Sequence, residues 1–152
     1  MSFVWSRSIE YCAVCYKPGS NITIDKQLFP SKTRCPYTQY MLSKPDKYGQ
    51  KLWLAVDVDT KYLLKVMPYL GKDNTRPGRQ SLSEHVVMQL MEPFLNKGLN
   101  VTPKNYFRSL QLARMLKQKG TSIVGTVKKY RRKNPKDVRQ SRRALLNTFF
   151  EE

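Results

Sequence analysis

The chain has 152 residues, 40% hydrophobic and 11% aromatic, with 28 Lys+Arg against 11 Asp+Glu for a formal charge of +17. That length accommodates one domain with a real core, and that apolar content excludes a disordered basic tail. The charge points to a polyanionic partner, DNA foremost, and no apolar run is long enough for a membrane-spanning helix.

Residues 1–17 place Phe3, Val4, Ile9, Cys12, Ala13 and Tyr16 in a loosely helical pattern that Pro18-Gly19 ends. The opening Met1–Arg7 lacks the layout of a secretory signal, so an intracellular, reducing setting is expected. In that setting Cys12, Cys15 and Cys35 are thiols and not a disulfide framework. Cys12 and Cys15 make a lone CxxC. A structural zinc site wants four ligands, with only Cys35 and His85 left to complete one, so two buried thiols on one helix face is the expectation.

Residues 21–29 alternate in part and predict a short extended segment. The next twenty interleave Pro30, Pro36, Pro45 and Gly49 with Lys32, Arg34, Lys44 and Lys47, which predicts an irregular basic arm. Its Tyr37, Tyr40 and Tyr48 suit a nucleic-acid surface, and equally suit packing the loop down.

Leu52 to Val56 form an apolar run that predicts a buried strand, and Asp57 follows where it ends. A strand that delivers an acid to a sheet edge is one way to mount a metal ligand or general base. Asp57-Val58-Asp59-Thr60-Lys61 also lies between two apolar runs, and spacing alone favours a plain turn. Tyr62 to Gly71 predicts the return strand of an antiparallel hairpin.

Ser81-Leu82-Ser83-Glu84 has the form of a capping box. Leu82, Val86, Leu90 and Phe94 predict a helix over 82–95. His85 lies beside its apolar face, without the partners that nucleophilic catalysis needs. Asn100–Thr102 predicts a brief strand, and Ser109 the cap of a helix carrying Leu110, Leu112, Ala113 and Leu116 before Gly120. Ser122 to Val127 predicts a last strand. The order β-β-α-β-α-β indicates an α/β domain whose mixed sheet starts with a hairpin and gains parallel strands through crossover helices.

From residue 128 the chain is strongly basic, with Lys128, Lys129, Arg131, Arg132, Lys133, Lys136, Arg139, Arg142 and Arg143 against Asp137 alone. The run reads as a phosphate-binding surface, a nuclear-import signal or both, with a solvated loop as the plainer alternative.

Several phrases together resemble the transposase core of the piggyBac superfamily. They are Asn21 to Leu28, Arg34-Cys35-Pro36, Ser43 to Gly49, Asp57 to Tyr62, Pro68-Tyr69-Leu70-Gly71, Glu92-Pro93 and Ile123 to Val127, in register from about residue 9 to the end. The resemblance implies a ribonuclease-H-like fold: an α/β mixed sheet with flanking helices, incomplete at the C-terminus. Residues 1–20 would be a helical lead-in, 21–127 the core and 128–152 a basic C-terminal segment.

In that family three aspartates bind two divalent metals, Mg²⁺ or Mn²⁺, for phosphodiester chemistry. The resemblance matches Asp57 to the first aspartate, against the plain-turn reading. It places Lys104, in the phrase Asn100 to Phe107, where the second belongs, and the third beyond Glu152. Lys26 also stands where the family usually has a glutamate. The expectation is an inactive transposase-derived protein in the nucleus that keeps nonspecific, salt-dependent DNA binding. It needs no cofactor, and binds metal weakly, if at all, at Asp57, with Asp59 as a substitute ligand. The alternatives are an active metal-dependent transposase or nuclease, and a gene fragment without a role.

Overall fold

The computed structural model describes residues 3–42, 44–71 and 81–126. The expected basic surface at 128–143 and the end of the predicted last strand at Val127 lie outside the described residues. In chain order the elements are α1 (Phe3–Val14), β1 (Asn21–Pro30), β2 (Thr38–Tyr40), β3 (Tyr48–Asp57) and β4 (Leu63–Pro68). They continue with α2 (Leu82–Met91), a 3-10 turn (Glu92–Phe94), β5 (Asn100–Pro103), α3 (Leu110–Gln118) and β6 (Ser122–Ile123).

β1 buries Ile22, Ile24 and Leu28, the even positions of a strand with one face on a core. β3 lies antiparallel beside it in a register running from Ile22↔Asp57 to Pro30↔Gly49. Directly paired residues share a face, so Trp53, Ala55 and Asp57 join Ile22 and Ile24 on the core side. On the other edge of β1, β5 runs parallel, and β6 runs parallel to β5. The sheet order is β2-β3-β1-β5-β6, with β4 also paired to β3. This is the expected mixed sheet: an antiparallel hairpin, then two strands returned in parallel after α2 and α3.

The basic arm is more ordered than its prolines predict. β1 extends through Pro30, β2 pairs with Tyr48–Gln50 of β3, and the Tyr40 and Tyr48 rings meet at 5.0 Å across that pair. Ladder bonds to a neighbouring strand, which local propensity does not register, hold this arm.

The core is built from Val86, Val87, Leu90, Met91 and Phe94 over Ile22, Ile24, Trp53, Ala55 and Val101, with Leu112 and Leu116 from α3. The capping box is present: Ser81 Oγ accepts the Glu84 N–H at 3.3 Å, and Glu84 Oε2 accepts the Ser81 N–H at 3.0 Å. The other oxygen of this buried carboxylate accepts the Ser109 hydroxyl at 2.7 Å, while Ser109 Oγ caps α3 by accepting from the Leu112 N–H at 3.1 Å. One carboxylate thus ties together the starts of both helices.

The helix predicted to reach residue 95 stops at Met91. Pro93 has no N–H to offer the Gln89 carbonyl four residues back, and Lys65 Nζ takes that carbonyl at 2.7 Å instead. Among the described residues the strand predicted from Ser122 is Ser122–Ile123, and the Val124 N–H still donates to the Val101 carbonyl at 2.8 Å.

Gly49 lies where β3 passes closest to β1: a Cβ there would fall 2.2 Å from the Phe29 carbonyl oxygen. Gly49→Ala is therefore expected to push the strands apart and cost about 1–3 kcal/mol, read from the midpoint of urea unfolding.

Candidate functional site

Asp57 ends β3 and is 0% exposed. Its Oδ1 accepts the N–H groups of Asp59 at 2.8 Å and Thr60 at 3.2 Å, which folds the chain back into β4. Its Oδ2 accepts the Gly19 N–H at 2.7 Å and the Tyr16 hydroxyl at 3.4 Å. An ionised carboxylate has about four lone-pair sites, and these four donors use them. The Gly19 hydrogen bond holds the carboxyl below the usual carboxylate range; burial opposes it, and the Asp59, Thr60 and Tyr16 bonds add to it.

Gly19 has no side chain to intrude here. A Cβ would lie 3.1 Å from an Asp59 oxygen and 3.4 Å from Asp57 Oδ2. Asp59 itself is exposed. Asp57 is thus a turn-building carboxylate whose two oxygens are met by protein donors.

Lys104 stands elsewhere. Its N–H continues the β1–β5 ladder by donating to the Ile24 carbonyl at 3.1 Å, and its Nζ pairs with Asp25 Oδ2 at 2.5 Å. Asp25 Oδ1 accepts the Lys26 N–H at 2.6 Å. Along β1, Asp25 is odd where Ile22 and Ile24 are even, so it occupies the sheet face opposite Asp57. Asp25 is also three residues along β1 from Ile22, the partner of Asp57, which is about 10 Å of strand. The expected pocket joining Asp57 and Lys104 is therefore corrected: the carboxylate beside Lys104 is Asp25.

The backbone around Lys104 is anchored by Arg108. Its guanidinium donates to the Pro103 carbonyl at 2.5 Å, Asn105 Oδ1 at 2.9 Å and Thr126 Oγ1 at 2.8 Å. Burial lowers the Arg108 pKa without removing its charge. The fixed loop leaves Lys104 extending from the C-terminal end of β5 towards β1. Sequence reasoning passed over Asp25, although the alternation that turns Ile22 and Ile24 inward already assigns it to the other face. Among the described residues no three His, Cys, Asp or Glu side chains gather as a metal cluster. Cys12 is half-buried and Cys15 exposed, which corrects the expected pair of buried thiols.

Asp57→Asn is expected to lower stability by about 1–3 kcal/mol at neutral pH, because an amide turns a donor towards donors. The folded pKa is depressed, so the carboxylate's stabilisation is present above its unfolded value near 3.9 and is lost as pH falls through the folded value. Denaturant melts of both proteins from pH 7 downward check this: the gap between them should shrink in acid.

Comparisons with known proteins agree with this architecture. The family model described as Transposase IS4 matches residues 3–149. A solved piggyBac transposase synaptic complex with hairpin DNA superposes with a TM-score of 0.82 at 38% identity, covering 91% of this chain and 29% of that one. The human PiggyBac transposable element-derived protein 2 is 28% identical over 113 residues, which are 68% of this chain and 19% of that protein. The chain thus spans 19% and 29% of these relatives' lengths, and the likeness places its mixed sheet in the ribonuclease-H-like fold. It is a member of the Transposase IS4 family, on the piggyBac branch.

Proposed function

We propose that this chain is a transposase-derived DNA-binding core that does not cut DNA, and that Asp25, not Asp57, is the surviving carboxylate of its former metal site. The observation that carries this reading is the ion pair between Lys104 Nζ and Asp25 at 2.5 Å. The family resemblance assigns position 104 to the second metal-binding aspartate, and its neighbour across the parallel β1–β5 pair is Asp25.

These residues do not fit a two-metal centre. A divalent ion bound to Asp25 would lie about 4 Å from the ammonium and be repelled by on the order of 8 kcal/mol at an effective dielectric near 20. Lys104 is 67% exposed and can retreat, but retreat restores no carboxylate. As a half-exposed pair it contributes only about 0–1 kcal/mol to stability. Its consequence is chemical: it places a tethered cation where the resemblance calls for an anion.

DNA affinity rests on the formal charge of +17, and a relative of the same fold was solved with hairpin DNA. Lys128 to Arg143 and the arm around Lys32, Arg34, Lys44 and Lys47 supply the cations for sequence-independent phosphate contacts. The same basic run serves as a nuclear-import signal in this reading.

Purified protein with Mg²⁺ or Mn²⁺ is expected to leave supercoiled plasmid intact; nicking that Asp25→Ala abolishes would overturn inactivity. In calorimetry, Mn²⁺ should give no binding heat with the native chain and a weak signal with Lys104→Asp. Duplex DNA binding should weaken with salt along a log–log slope of about −0.9 per phosphate contacted. An affinity indifferent to salt would remove the phosphate-contact reading.

A further inference from the structure

Between the 30–38 loop and the β2–β3 hairpin lies an open groove of about 1050 Å³, with Lys32, Arg34, Tyr40, Asp46 and Tyr48 in its lining. That volume is at the upper end of the clefts that hold one small ligand. The pairing Tyr40↔Tyr48 sets the two rings side by side, tilted by 51° at 5.0 Å. By composition these rings suit either packing the arm down or offering a surface, and their exposure decides between the two. Tyr40 is 55% and Tyr48 57% exposed, while Tyr16, Tyr62 and Tyr69 pack against the core.

The cations of the groove stand on a fastened loop. The Ser31 N–H donates to the Tyr48 carbonyl at 3.4 Å, the Thr38 hydroxyl to the Thr33 carbonyl at 3.2 Å, and the Thr38 N–H to the Cys35 carbonyl at 3.0 Å. The hairpin turn is closed by the Met41 N–H on the Lys47 carbonyl at 2.6 Å. Lys32, Arg34 and Asp46 are exposed, and none of the three makes an ion pair among the described residues. The groove therefore offers two flat aromatic faces, two cations and one carboxylate, with the charges not spent on one another.

These groups select one ligand. An aromatic face stacks a nucleobase, and every base has a face to offer. Bases paired in a duplex turn only their edges outward, so an unpaired base alone can lie flat on Tyr40 or Tyr48. Lys32 and Arg34 suit a phosphate, Arg34 with two parallel N–H donors. Asp46 repels phosphate and accepts from base amines, which favours a nucleotide lying with its phosphate towards Lys32 and Arg34. We propose that this groove is a subsite for an unpaired nucleotide of a DNA single strand, the base on tyrosine and the phosphate on the 32–34 loop. The inference rests on the DNA-binding reading above and adds a preference for unpaired bases that phosphate contacts alone would not give.

The test is fluorescence anisotropy of a labelled oligo(dT) of about twelve nucleotides, and of a labelled duplex of the same length, titrated with the full-length chain. Tyr40→Leu and Tyr48→Leu should each weaken single-strand binding about tenfold and leave duplex binding unchanged, whereas Tyr40→Phe, which keeps the ring, retains both. Lys32→Gln and Arg34→Gln should each flatten the single-strand log–log salt slope by about 0.7. Circular dichroism checks that each variant folds. Should the leucine variants not fold, ultraviolet crosslinking of an iodouracil-substituted strand to the native chain decides: adducts at Tyr40 or Tyr48 support the subsite, and adducts only elsewhere overturn it. Equal losses for strand and duplex in the leucine variants, or no loss in either, would overturn the subsite and leave DNA binding intact. No binding of either DNA by the native chain would remove the DNA-binding reading with it. Displacement of the strand by thymidine monophosphate as readily as by unlabelled oligo(dT) would assign the groove to free nucleotides instead.

Discussion

The antiparallel contact between β1 and β3, from Ile22↔Asp57 to Pro30↔Gly49, is the constraint on which the rest of the molecule depends. Side chains alternate strictly along both strands, so this register assigns each residue to the helix-covered face or to the opposite one. A slip of one residue would expose Ile22 and Ile24 and bury Asp25. It would also separate Asp57 from Gly19 and Tyr16, leaving a buried charge without donors. Burial of apolar surface and satisfaction of one carboxylate therefore select the same pairing, and the absent side chain at Gly49 lets the backbones approach closely enough to form it.

Two aspartates on neighbouring strands meet opposite electrostatic environments. Asp57 is wrapped by neutral donors from two segments, and its charge stabilises the loop that joins β3 to β4. Asp25 lies on the other face, partly exposed, and its nearest cation is an ammonium from the end of β5. A metal-dependent nuclease needs acids that converge with open coordination positions. Here one acid is already satisfied by protein donors, and the other faces a lysine. The ribonuclease-H-like fold is thus retained with its two aspartates in different surroundings, one met by backbone and hydroxyl donors and one by an ammonium.

Much of the architecture was legible in the residues themselves. The capping box at Ser81 and Glu84, the Ser109 cap, the hairpin around Asp57 and the alternation of β1 are signals carried within a few positions, and all four appear in the fold. Pro93 shortened α2 by a local rule as well, since a missing N–H ends a ladder wherever it falls. The strand order inside the basic arm was not legible. Thr38–Tyr40 is a strand because β3 offers it hydrogen bonds, and nothing in its own composition announces that partner.

The site divides the same way. By itself the sequence determined that Asp57 follows an apolar strand within turn-forming residues, that a lysine occupies position 104 of a transposase-like phrase, and that two cysteines stand three apart near a helix end. Only the tertiary structure decided which carboxylate meets Lys104, and which donors close on Asp57. Those pairings join residues 79 and 38 positions apart, and they depend on strand register. Register is a property of two strands at once, so no reading along one chain segment can supply it.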